Sequence, residues 1–208
     1  MCKILTFKRP FIWLRRFRKR CGYGVHSPSA FDFITNVIYE KTYYYAYNEI
    51  EKSDKYKQQI KKNKKHTSRK VNRLLFRMVN RFQPTDIAEV GPASSITSLY
   101  LKAAKQNADY VCYSADVPIT HFTHNLGFLL IHYGENVEKI REIIKESFNC
   151  VTHQSVLVIE GIYYNSSMKQ LWNEVVADKR AVITYDLYDL GIVFFDQKKI
   201  KQHYKVNF

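Results

Sequence analysis

The alternation of apolar and polar positions divides the chain into repeated strand and helix signals. Residues 87–90 form a short apolar run that passes through Gly91-Pro92-Ala93-Ser94-Ser95. A helical pattern follows, with Ile96, Leu99, Tyr100 and Ala103 on one face. A strand turning through small residues into a helix is the opening unit of a nucleotide-binding α/β fold. Further strands are predicted at 110–114, 127–131 and 155–159. A helix over 136–148 follows the third strand, and one capped by Ser166 or Ser167 follows the fourth. Segments 181–187 and 192–195 pair as a hairpin through Tyr188-Asp189-Leu190-Gly191, and the alternating tail 202–208 fits an edge strand. Strand–helix units ending in an antiparallel hairpin predict a mostly parallel sheet with helices on both faces.

Upstream, Ser27 is placed to cap, and Pro28 to begin, a helix with Phe31, Ile34, Val37 and Ile38 at three- and four-residue spacing. Thr67 or Ser68 caps another, whose inward residues are Val71, Leu74, Leu75, Met78, Val79 and Phe82, and Gln83-Pro84 ends it. Residues 48–65 between them are polar and lysine-rich, and read as an exposed helix or a linker. A helix beginning at Pro10 sets Phe11, Leu14 and Phe17 near one face and arginines around the other. That pattern suits an anionic membrane surface or nucleic acid, or a helix docked on its own domain with its arginines in solvent. The docked arrangement is the expectation, because a bulky aromatic face finds a partner surface nearby. The organisation is thus a basic, aromatic, helical extension over 1–66 and an α/β domain over 67–208.

Charge sharpens this division. Residues 1–73 carry 19 Lys and Arg against 5 Asp and Glu, while 74–208 carry 14 of each, so the net charge of +14 belongs to the N-terminal third. Such asymmetry points either to phosphates or an anionic surface, or to a solubilising arm. No base-reading motif accompanies it. The cysteines Cys2, Cys21, Cys112 and Cys150 form no CxxC pair, which implies reduced thiols and a cytoplasmic setting. Lys8, Arg9 and Pro10 interrupt any secretory pattern, and no stretch reaches the roughly 20 apolar residues of a membrane span.

Four stretches, GYGVHSP with AFDFITNVI, IAEVGPASSITSLYL, VLVIEGIYYNSSMKQLW and RAVITYDLYDLGIVFFDQKKIKQHY, together resemble the class I S-adenosylmethionine-dependent methyltransferases. The resemblance is nearest to a bacterial group with O-methyltransferase-like domains. It implies a Rossmann-like sheet of order 3-2-1-4-5-7-6, with S-adenosylmethionine across the carboxyl ends of strands 1, 2 and 4. The family's E-x-G-x-G-x-G becomes Glu89-Val90-Gly91-Pro92-Ala93-Ser94-Ser95, which retains only the first glycine. The resemblance therefore implies Glu89, Gly91, Ala93 and Ser95 at the cofactor's methionine part and Asp116 at its ribose. In metal-dependent relatives, acids after strands 4 and 5 hold a divalent cation. Here those places are taken by His132 and by Glu160-Gly161, too few carboxylates for a metal, and no metal is expected.

Ten residues between Asp116 and Gly127 cannot hold the usual helix, strand and helix, so the strand-3 region is missing and strand 2 becomes an edge open to a second copy. His132 and Glu160 are the candidate proton acceptors for methyl transfer to an acceptor substrate. The alternatives are a hydrogen bond to nearby backbone for His132 and a cap or salt bridge for Glu160. The competing functional reading is a non-catalytic scaffold whose basic arm binds nucleic acid, an anionic surface or a partner protein.

Overall fold

Successive side chains of a strand point to opposite faces, and the central strands use both faces for burial. Ile87, Phe128, Leu130, Val156, Val158 and Ile192 lie on one side, and Val90, Leu129, Ile131, Leu157, Ile159 and Val193 on the other. A computed structural model describes residues 10–62, 67–92, 95–114, 122 and 126–208. Its elements run α1 (Pro28–Phe33), α2 (Tyr45–Lys52), α3 (Asp54–Lys62), α4 (Arg69–Phe82), β1 (Asp86–Val90), α5 (Ile96–Ala104), β2 (Asp109–Tyr113) and β3 (Leu126–Ile131). They continue with α6 (Val137–Ser147), β4 (Val151–Glu160), α7 (Ser166–Ala177), β5 (Ile183–Asp186), β6 (Leu190–Phe194) and β7 (Gln202–Lys205). Residues 10–15 are helical as well.

The strands form one sheet of order β2-β1-β3-β4-β6-β5-β7. Pairing is parallel from β2 through β4, β6 is antiparallel to both β4 and β5, and β7 lies parallel to β5. The Rossmann-like sheet with a C-terminal hairpin is therefore present, and the tail does add an edge strand. The opposite edge is β2 among the described residues, with Val111 exposed. Most of the segment between β2 and β3 lies outside the described residues.

Helices α4, α1 and part of α5 cover one face of the sheet, and α6 and α7 the other. Helix α1 runs on as a π-helical turn, Ile34–Ile38, and the buried Arg77 of α4 donates to the carbonyls of Val37 (2.7 Å) and Ile38 (3.0 Å). That guanidinium satisfies carbonyls the irregular turn leaves open. Phe31 is exposed rather than inward, and its ring lies against Gly22; Phe33 takes the buried place. Residues 45–62 form two helices, not a linker. Tyr47, Ile50 and Tyr56 bury beside Phe76 and Tyr100, an aromatic cluster that the polar composition conceals.

The N-terminal arm is docked, but in the opposite sense to the expectation. Arg16 makes the inward contact: half-buried, it forms a two-pronged ion pair with the fully buried Asp186 at the end of β5 (2.9 and 3.0 Å). Asn207 adds bonds to the carbonyls of Trp13 (3.2 Å) and Lys19 (3.0 Å). Phe11, Trp13, Leu14 and Phe17 face outward. A buried carboxylate that needs a partner outweighs the aromatic face, because an unpaired charge in the interior costs far more than exposed rings.

Candidate functional site

Register places the chemistry. Glu89 pairs with Leu130, which pairs with Val158, so β1, β3 and β4 are level at that point. The same face holds Ile87 and Glu89, Phe128 and Leu130, Val156 and Val158. Continuing each alternation by one step brings His132 and Glu160 abreast, just beyond Glu89. The backbone N–H of His132 extends the ladder by donating to the Val90 carbonyl (2.9 Å). Three ionisable side chains thus meet at the carboxyl ends of adjacent parallel strands, beside the point where strand order reverses, which is where open α/β sheets bind ligands.

They meet as a bridge. His132 Nε2 lies 2.7 Å from Glu89 Oε1, and His132 Nδ1 lies 2.9 Å from Glu160 Oε2. Glu89 is wholly buried and each of its oxygens has two partners. Oε1 accepts from His132 and from Ser95 Oγ (2.5 Å). Oε2 accepts from Ser98 Oγ (2.9 Å) and from the Tyr110 hydroxyl. Glu160, 14 % exposed, also accepts from Thr67 Oγ1 (2.9 Å). Ser95 does double duty, since it is the N-cap of α5 and accepts from the Ser98 N–H (3.0 Å).

Burial pulls the His132 pKa down, but the hydrogen bonds and charges of Glu160 and Glu89 outweigh it and raise the value to about 9. At neutral pH the ring is an imidazolium donating from both nitrogens. Burial pushes both carboxyls up, and the bonds and charge of His132 more than reverse this, so Glu89 and Glu160 lie below the usual carboxylate range. Burial and the neighbouring Glu89 charge raise the Tyr110 phenol, so it stays a donor.

Gly91 belongs to the same assembly. A Cβ built on it would stand 2.6 Å from His132 Cδ2, so the close approach this glycine permits is to the imidazole of its own chain. Gly161, next to Glu160, adopts φ +75°, and its N–H donates to the Asp189 carbonyl (2.7 Å), tying the β5–β6 turn to the site.

Of the predicted site residues, Glu89, Gly91, Ser95, His132 and Glu160 come together, while Ala93 and Asp116 lie outside the described residues. His132 is held by two carboxylates rather than by the backbone group weighed as the alternative to a proton acceptor, and Glu160 forms a salt bridge with it. Sequence reasoning missed Thr67, Ser98 and Tyr110. Ser98 carried a signal, three residues after Ser95 on a helix whose first turn points back at the strand. Tyr110 did not, because its reach to Glu89 depends on the pairing of Ile87 with Tyr110. Among the described residues no group of three or more His, Cys, Asp or Glu is arranged to hold a metal ion.

No family model matches the chain, and no curated protein matches it. Solved structures similar to it include the SAH-bound methyltransferase PaMTH1 of Podospora anserina, at 8% identity over 81% of this chain and 96% of that one, TM-score 0.56. The O-methyltransferase TomG of Streptomyces achromogenes, in complex with SAM, is 9% identical over 74% of this chain and 91% of its own, TM-score 0.51. A caffeoyl-CoA O-methyltransferase, so described, from Staphylococcus aureus is 10% identical over 71% and 95%, TM-score 0.54. The fold is that of the class I methyltransferases.

Proposed function

We propose that the protein is a methyltransferase-like scaffold in which the Glu89–His132–Glu160 bridge clamps three parallel strand ends and stands where the fold would place a working centre. The observation that carries this reading is that both ring nitrogens of His132 are engaged by carboxylates. An imidazolium donating both protons has no lone pair for a substrate proton, so His132 is no general base at neutral pH.

Structural neighbours that hold SAM or SAH support S-adenosylmethionine as the cofactor, and two features of the described residues argue for weak binding. Glu89 has every acceptor site filled by side chains of its own chain, and the space above Gly91 holds the His132 ring. The bridge also leaves no place for a divalent cation, because the imidazolium stands between the two carboxylates and has no lone pair to offer a metal. Calorimetric titration of the full chain with S-adenosylmethionine and S-adenosylhomocysteine tests the reading. Weak or absent binding is expected, and a low-micromolar dissociation constant would overturn it.

One observation favours the enzymatic alternative: Glu160 is the most exposed of the three at the carboxyl edge. Methyl transfer depends chiefly on positioning, so tight cofactor binding would make Glu160 the residue to test, with Glu160→Gln expected to lower turnover. In the scaffold reading the surfaces left for partners are the outward arm and the β2 edge. Sedimentation of the full chain with and without an oligonucleotide reads out both.

A further inference from the structure

A second concavity lies on the same edge of the sheet, beyond Glu160, with the docked arm as one wall. We infer that it binds a small phosphate monoester. The cavity measures about 320 Å³, and five cationic side chains line it: Arg15, Arg16, Lys19, Lys169 and Lys205. They arrive from the arm, from the first turn of α7 and from the end of β7, so the convergence is tertiary and not the surface of one basic helix. Residues 74–208 carry no net charge, yet both of their contributions here are lysines.

The five cations have different duties. Arg16 is consumed in building the wall. It is paired with Asp186, and its guanidinium lies 5.6 and 5.5 Å from the ring centres of Tyr163 and Tyr188, which stack on each other. Asp186 is consumed as well, since it also accepts from the Tyr163 hydroxyl (2.9 Å) and the Tyr188 N–H (2.9 Å). Arg15, Lys19, Lys169 and Lys205 have no carboxylate partner among the described residues, and no acidic side chain lines the cavity. Four like charges converging on one concavity repel, and a bound dianion relieves that repulsion. A phosphate monoester carries about −1.5 to −2 charges at neutral pH with three acceptor oxygens, which suits mobile lysine donors beside one planar arginine fork. The size is at the lower end of the roughly 300–1,000 Å³ range of small-molecule sites. That suits a phosphate with a compact group attached and excludes a polymer from the interior. Ile12 and the two tyrosines supply the apolar part of the lining, against which the attached group rests.

This inference is independent of whether S-adenosylmethionine binds. The test is calorimetry on the full chain with phenyl phosphate and inorganic phosphate, at ionic strength held constant with sodium chloride, alongside vesicles containing phosphatidic acid and a single-stranded oligonucleotide. Phenyl phosphate is expected to bind saturably and more tightly than inorganic phosphate, and to slow tryptic cleavage of the arm that walls the cavity. Lys169→Glu and Lys205→Glu, both at exposed positions, are expected to weaken binding at least about tenfold each, with unchanged melting temperature. No saturable binding above the chloride control, or unchanged affinity in both variants, would overturn the site. Equal affinity for the two phosphates would overturn the monoester assignment. Tighter binding of the vesicles or the oligonucleotide would transfer the surface to a lipid or a nucleic acid.

Discussion

Gly91 and His132 show how a single residue decides what a strand end does. A methyl group on Gly91 has nowhere to go while the imidazole is in place. Gly91→Ala is expected to cost about 1–3 kcal/mol in chemical denaturation, the usual range for overpacking a filled site. His132→Ala removes the cation between two buried carboxylates and is expected to cost about 3–5 kcal/mol. His132→Gln, which keeps one donor, should cost less. The sign of the pH dependence follows from the raised pKa. The stability contributed by His132 is fully present below its ordinary value of 6.5 and is lost as pH rises through about 9. The difference in denaturation midpoint between wild type and His132→Gln should therefore shrink across that window; a constant difference would contradict an imidazolium in the folded state. On the acid side, the lowered pKa values of Glu89 and Glu160 give stability that is present above 4.5 and lost as pH falls through their folded values.

At the scale of elements, helix starts carry unequal loads. Asn165 caps α7 by accepting from the Met168 N–H (2.7 Å), in place of the Ser166 or Ser167 expected from sequence. Asparagine caps as well as serine does, so three adjacent cap formers could not be ranked without the backbone angles. Asn165→Ala is expected to cost about 1 kcal/mol, the ordinary value of a cap. Ser95→Ala removes a cap and also one of the four donors to a buried carboxylate, so its cost should reach about 2–4 kcal/mol. Equal melting-temperature losses in the two variants would show that Ser95 acts only on its helix. The elements were largely legible, because periods of 2 and 3.6 are local properties of the chain. Ser27 was a legible cap for the same reason and Ser68 was one of two candidates, whereas the strand order came only from the family resemblance. The bridge was legible only as three strand-end residues. That they touch depends on the register of β1, β3 and β4, which no local pattern encodes.

For the whole molecule, the decisive contact is the one between Arg16 and Asp186, 170 positions apart. Sequence reasoning gave the arm an aromatic docking face because it saw amphipathic spacing but could not see an unpaired acid at the end of β5. Arg16→Ala is expected to release the arm, read as faster tryptic cleavage between Arg15 and Arg20. It should also destabilise the domain by about 3–5 kcal/mol through the stranded Asp186. Adding Asp186→Asn should recover most of that stability while leaving the arm free. A double variant that is no more stable than Arg16→Ala alone would place the arm's anchor elsewhere.

Asn207 has a consequence in time as well as in space. Its bonds to Trp13 and Lys19 span up to 194 positions, so the arm is held by a residue made much later than itself. Closing so wide a loop is slow compared with forming local helices. During synthesis the arm must wait, Arg16 uncommitted, until β5 and then β7 have emerged. The growing chain therefore carries its highest density of positive charge on an undocked segment until β7 arrives.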